Sequence, residues 1–343
     1  MKEFKKQSFF SLILWVCLGF VACKNTIMEK WWDTPQTTAP AKPAGPTQLY
    51  VDGTLKMEAK LPAIFAWIKS NIADNTHYII RIGVDDSLLP EEGWLHYPNI
   101  TGVTITLAGK EREQIVTITD NAKGSLFDVG ANVTFVLSEK ITLKGHSDNN
   151  NSLIMVSNGG TLMINDGATI RDNINMTDPS TDWRASGISV DGIFIMDGGV
   201  VSGNRCNNGG GGIGVLDGTF TMNGGSISSN EAEIDGGGVQ VYRGTFIMNG
   251  GIISNNMVTT MNSGTWVVAG GGVYIGSNGG QFTKIGGIIY GSDAPDGLAN
   301  RVLYYGIGGG AAVYANQSGT RVRNNTLYEN DNISTANWNV GWE

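Results

Sequence analysis

Asp191, Asp217 and Arg243 are the residues whose types and spacing best fit shared chemistry. Each stands directly before a glycine (Gly192, Gly218, Gly244), and the step from one to the next is 26 residues. If that step is one turn of a repeating fold, the carboxylates lie about 5 Å apart, the separation of a retaining glycosidase pair. Arg243 would sit one turn further on, placed to hold negative charge. Asp166 and Asp197 form a second candidate pair, 31 residues apart. Other features of the sequence count against catalysis. Asp beside Gly is a common turn former, Arg243 is enough to neutralise its neighbours, and neither Lys nor His repeats with them. A metal at Asp191 and Asp217 would need more oxygen ligands than the pattern supplies. His77, His96 and His146 are scattered without ligand spacing, so solvated or locally bonded imidazoles are expected. No cofactor is expected. Cys206 has no His near it in the pattern and reads as a free thiol rather than a nucleophile.

These candidates are positioned by a text written twice. Residues 212–230 read GIGVLDGTFTMNGGSISSN, and residues 238–256 read GVQVYRGTFIMNGGIISNN. A looser copy, GISVDGIFIMDGGVVSGN, occupies 187–204. Each copy holds three short apolar runs separated by turns at Gly. Its length leaves no room for a helix. The closed solution is one coil of a parallel β-solenoid, hydrogen-bonded to the next coil at about 4.8 Å. Equivalent positions then stack. Phe194, Phe220 and Phe246 form an inward ladder, and Met196, Met222 and Met248 form another. The pairs Ile188/Val190, Ile213/Val215 and Val239/Val241 line a third wall. Asp197/Asn223/Asn249 and Asn204/Asn230/Asn256 are polar ladders, read as structural because an amide both donates to and accepts from its copies. The fold class expected is all-β, a right-handed parallel β-helix of about 26-residue coils.

Composition agrees with a packed solenoid. Charged residues are 16% against a usual ~25%, and the 49 Gly are about twice the usual share. Periodic Ile, Val, Phe and Met argue against disorder. The net charge of −8, and basic residues that cluster only at the N-terminus, exclude nucleic acid as an expected partner.

Residues 1–22 read as a signal peptide: Lys2, Lys5 and Lys6 precede an apolar core too short for a comfortable membrane span. An ordinary secretory signal and an uncleaved anchor remain alternatives. Residues 23–48 are rich in Pro, Thr and Ala and read as a tether. Trp31 and Trp32 would rest either at a membrane interface or on the folded domain. Residues 49–343 form the β-helix domain, with the regular coils expected at about 153–330. Within it, 61–73 is the one helix-like stretch: Leu61, Ile64, Phe65, Ile68 and Ile72 share a face, and Pro62 suits a first turn. It is expected to cap the open N-terminal end of the solenoid. The segment LPEEGWLHYPNI is an insertion between strands. Loops at 174–186, with Trp183, and at 257–268 interrupt the repeat and are natural places for individual function. The last residues, ANWNVGWE, are expected to close the final coil.

The end of the apolar leader, Phe20-Val21-Ala22-Cys23, resembles the lipobox of bacterial lipoproteins, with Phe20 where Leu is usual. That resemblance implies cleavage before Cys23 and a lipid on its sulfur. Gly-Gly-Gly-Val at 236–239 and 270–273, Phe-x-x-Asn at 220–223 and 246–249, and Ile-Ser-x-Asn at 227–230 and 253–256 resemble the GGA(I/L/V) and FxxN repeats of polymorphic outer-membrane proteins. They are also similar to repeat-bearing surface lipoproteins that share the pectin-lyase-like right-handed β-helix. The polymorphic proteins carry a C-terminal autotransporter barrel. This chain is expected to lack one and to be held by lipid instead.

Three functions follow as expectations. The first is a lipid-anchored surface protein, with the membrane as partner through Cys23 and a host or envelope protein or glycan as ligand, acting as an adhesin or extended binding module. The second is a carbohydrate-active enzyme, lyase or hydrolase, on a pectin-lyase-like scaffold, using Asp191, Asp217 and Arg243. The third is a passive spacer of the envelope. Thr219, Thr221, Ser226, Ser228, Ser229, Thr245 and Ser254 are the small neutral residues expected on the outer face.

Overall fold

Alternating apolar residues bounded by Gly turns fold into strands too short to be stable alone, so each must pair with the copy in the next coil. The computed structural model describes residues 45–177, 184–259, 269–303 and 311–315, with the backbone of 320–323 and 326–328. The signal segment, Cys23, nearly all of the tether with Trp31 and Trp32, Trp183, residues 260–268 and the segment ANWNVGWE lie outside the described residues.

The chain winds into a parallel β-solenoid of about seven turns, with about 27 residues per turn. One coil shows the plan. Ile193–Met196 lies in the first sheet, Val200–Ser202 in the second, Arg205–Cys206 in a two-residue rung, and Ile213–Val215 in the third. The sheets hold twelve, eight and eight strands, and the rungs form a fourth of five. Coil-to-coil pairing is parallel. Antiparallel pairs occur at the two ends: Gln48–Val51 pairs with Thr54–Glu58 and His77–Ile82, and Thr320–Arg323 pairs with Thr326–Tyr328.

Register follows the repeated text. Phe194 lies opposite Phe220, Phe220 opposite Phe246, and Phe246 opposite Phe282. Their rings stack at 4.6, 4.6 and 4.9 Å in the core. Met196, Met222 and Met248 form the neighbouring buried column, whose next member is buried Lys284 rather than a fourth Met. The Gly-Gly turns work as expected: Gly225 and Gly251 take φ of +79° and +83°, the left-handed region in which a Cβ is strained.

The coil stack reaches further toward the N-terminus than the repeated text. His77–Ile82 already pairs in parallel with Val103–Gly109, which pairs with Val133–Leu137. The helix runs Leu61–Asn71 and buries Leu61, Ile64, Phe65 and Ile68. It lies against Asp86–Leu88 and the turn Pro90–Gly93, at the end where the second sheet begins. The Phe65 ring is 5.7 Å from Phe127 in the core. The first helical N–H, of Leu61, donates to Asp86 Oδ2 at 2.8 Å, so the sheet supplies the N-terminal partner that Lys60 lacks.

Two sequence expectations need correction. Ile164 pairs with Met196, which places Asn165, not Asp166, opposite Asp197. Asp166 instead crowds Gly198, where a Cβ would meet its Oδ1 at 2.0 Å. The cause is a one-residue slip: in the next sheet Ile170 pairs with Val201, as the 31-residue alignment requires. Ser254 is buried rather than outward-facing. The Asn255 N–H beside it donates to Leu298 O at 2.8 Å, so the 290–299 connection folds over this part of the second sheet.

Candidate functional site

Asp191, Asp217 and Arg243 sit at the corner between the third and first sheets. Tight turns there hold one coil against the next. A Cβ on Gly218 would meet Gly192 O at 2.3 Å, and one on Gly244 would meet Gly218 O at 2.3 Å. This packing carries the three preceding side chains outward on consecutive coils, so the structure brings the three residues together as their spacing implies. Arg243 Nε donates to Asp217 Oδ1 at 2.7 Å, and its Nη2 donates to Asp217 Oδ2, a two-pronged clamp. The guanidinium also lies over the Tyr242 ring, 5.5 Å from its centre. Both partners of the clamp are about half exposed.

Asp191 is more enclosed. Burial, and then the negative charge of Asp217, push its carboxyl above the usual range, while Arg184 and Arg243 oppose the shift. Bonding to Asp217 and the charge of that residue strengthen the protonated form of Arg243. A hollow of about 380 Å³ opens here, lined by Ser157, Asn158, Asp191 and Asp217. Ser157 and Asn158 come from the preceding coil, whose text differs enough that sequence reasoning did not reach them.

The other candidates are dispersed. Asp197 belongs to the outer corner ladder and accepts a bond from Asn223 Nδ2 at 2.7 Å. Cys206 is fully buried, and burial raises its thiol to about 12, far from a thiolate nucleophile. Each histidine is locally bonded: His77 to Thr106 Oγ1 at 2.8 Å, His96 to Asp128 Oδ1 at 3.1 Å, and His146 to Ala122 O at 2.9 Å. Among the described residues no three His, Cys, Asp or Glu side chains group as metal ligands. A second hollow, of about 500 Å³, surrounds Trp94. The segment expected as an insertion between strands instead supplies Trp94–Leu95, the end strand of the third sheet, because this stretch pairs in parallel with Phe127–Val129 of the next coil.

The broad outer face of the first sheet is organised differently. Its first outward column reads Thr104, Thr134, Thr161, Ile193, Thr219, Thr245, Gln281 on seven successive strands. The second reads Thr106, Val136, Met163, Ile195, Thr221, Ile247, Thr283. Across these seven strands neither column carries a charged side chain, as expected, but the columns are more apolar than the serines and threonines of the two clean copies imply; exposed Arg81 lies on the strand before them.

The fold and these sites define the class: a parallel β-solenoid with two uncharged columns on one sheet and a clamped acidic corner. No family model, curated protein or solved structure matches the chain.

Proposed function

We propose that this protein is a lipid-anchored component of a bacterial cell envelope, displayed at the surface, that uses its solenoid as an extended binding module for a host or envelope protein or glycan. The observation that carries this reading is the pair of uncharged columns across seven strands of the first sheet. A long, regular row of hydroxyls and methyls suits many weak contacts along an extended partner. The clamp of Arg243 on Asp217 supports the same reading, because it holds one carboxylate of the candidate pair in an ion pair. Anchorage rests on the lipobox resemblance ending at Cys23.

Protease shaving of intact cells tests the reading, together with labelling by radioactive palmitate. We expect the protein to vanish while a periplasmic control survives, and label to disappear in Cys23→Ser. Full protection of the protein, or labelling that ignores Cys23, would overturn surface display or lipid anchorage respectively.

A carbohydrate-active enzyme is the second reading. The observation favouring it is the raised Asp191 carboxyl beside Asp217, the unequal pair that an acid and a nucleophile require. Cleavage of a polysaccharide by the purified chain, abolished in both Asp191→Ala and Asp217→Ala, would replace the first reading with this one.

A further inference from the structure

A hollow of about 500 Å³ opens around Trp94. Trp94 and Leu95 form the first strand of the third sheet. Leu95 is fully buried, so the period-two alternation turns Trp94 outward, where 47% of it is exposed. Trp94 pairs in register with Asp128 on the next coil, which sets a carboxylate beside the ring. Glu91, Lys123, Asn150 and Asn151 complete the polar rim.

The rim is held in place. Asp128 Oδ1 receives both His96 Nε2 at 3.1 Å and Ser157 Oγ at 2.8 Å, which fixes the carboxylate. The loop carrying Asn150 and Asn151 is tied down by Asn149, a buried residue. Asn149 Oδ1 accepts from the N–H groups of Gly124 and Asn150 at 2.8 and 2.9 Å. Its Nδ2 donates to Gly124 O and Asn151 O at 3.0 and 3.2 Å, and to Asn173 Oδ1 at 2.9 Å. One amide therefore fixes two walls of the hollow and joins them to the buried Asn ladder. Such preorganisation lowers the ordering cost of binding.

We propose that this hollow binds an uncharged pyranose unit of an oligosaccharide. A pyranose presents a C–H face that packs on an indole and a rim of hydroxyls that pair with planar carboxylates and amides. A volume of about 500 Å³ falls within the range of small-ligand sites. The charge pattern selects against acidic sugars: Glu91 and Asp128 line the site, and Lys123 is drawn to Asp148 at 2.7 Å. The inference rests on the binding-module reading and names a ligand class and place for it.

The test uses the full chain, detergent-solubilised, titrated over immobilised cello-, manno- and N-acetylglucosamine pentaoses, with polygalacturonate as the acidic comparison. We expect at least one neutral pentaose to bind more tightly than polygalacturonate. Trp94→Ala should weaken that binding at least about tenfold, as loss of a central aromatic anchor does. Trp94→Phe should recover part of it, and Asp128→Asn should weaken it with an unchanged circular dichroism spectrum. Binding equal in wild type and Trp94→Ala, a preference for polygalacturonate, or no binding to any neutral probe would overturn the inference. Neutral-sugar binding that survives Trp94→Ala but falls in Thr221→Arg would move the site to the outer sheet face, rejecting this hollow and keeping the binding module. Shortening of the recovered probe would instead overturn the non-catalytic reading, and the Trp94 contrast would still decide whether this hollow holds the sugar.

Discussion

Two amide ladders climb the same solenoid at the same 26-residue step, and they are not equivalent. In the inner ladder, Asn204 Nδ2 donates to Asn230 Oδ1 and Asn230 Nδ2 donates to Asn256 Oδ1, each at 3.0 Å. In the outer ladder, Asn223 Nδ2 donates to Asp197 Oδ1 at 2.7 Å and Asn249 Nδ2 to Asn223 Oδ1 at 2.8 Å. The outer bonds are shorter, yet the inner ladder matters more to the fold. Its members are buried, and each also serves the backbone. The N–H groups of Asn204 and Asn230 donate to Asn230 and Asn256 Oδ1, and Asn230 Nδ2 reaches Val201 O. The outer amides stand in water, which replaces a lost partner at little cost. Bond length does not rank the two ladders. The number of backbone groups that would be left dry and unpaired does.

Mutations can break this comparison. Asn230→Ala should give the largest effect. It strips the acceptor from the Asn204 N–H and the donor from Val201 O, both buried, for a loss of about 2–4 kcal/mol. A urea melt that moved no further than a surface variant would show that the inner ladder is dispensable.

The clamped corner sharpens the comparison through charge. Asp191 carries a raised carboxyl, so the folded state holds its proton more tightly than the unfolded chain. Its contribution to stability is therefore greatest in acid. It falls as pH rises from the ordinary carboxylate range through the raised value. Carbon-detected NMR titration should place Asp191 higher still in Arg243→Ala, because a positive neighbour is lost, and lower in Asp217→Asn, because a negative one is. Movement in the reverse directions would mean that another contact sets the shift.

The smallest effect is expected for Asn223→Ala. It removes exposed links to Asp197 and Asn249 and should shift the same melt by no more than about 0.5 kcal/mol. A loss close to that of Asn230→Ala would erase the distinction between the ladders.

How far the structure was legible depended on the range of the signal. The Phe and Met columns were readable because period two and a constant step are local properties of the text. Asn300 was not. It takes the Asn256 N–H and Nδ2 at 2.8 and 3.0 Å and so continues the inner ladder. It stands 44 residues on, beyond an extended connection that hides the repeat. That connection also covers Ser254. The acidic corner was legible in composition, since Gly turns mark its three residues, but not in its inequality. Only the enclosure of Asp191 and the clamp on Asp217 separate two carboxylates that look alike in the text. The Trp94 hollow left almost no trace, because its walls come from three segments, 89–94, 123–128 and 150–155, that only the stacking of successive coils brings together.

By itself the sequence determined the coil length, the residues that face inward and the glycines that turn the chain. All three follow from side-chain alternation and backbone sterics within one repeat. Only the tertiary structure decided which of two similar asparagine ladders is dry, which aspartate is enclosed and where an indole stays open. Burial belongs to the neighbours a residue acquires when coils stack, and those neighbours are set by insertions of unequal length.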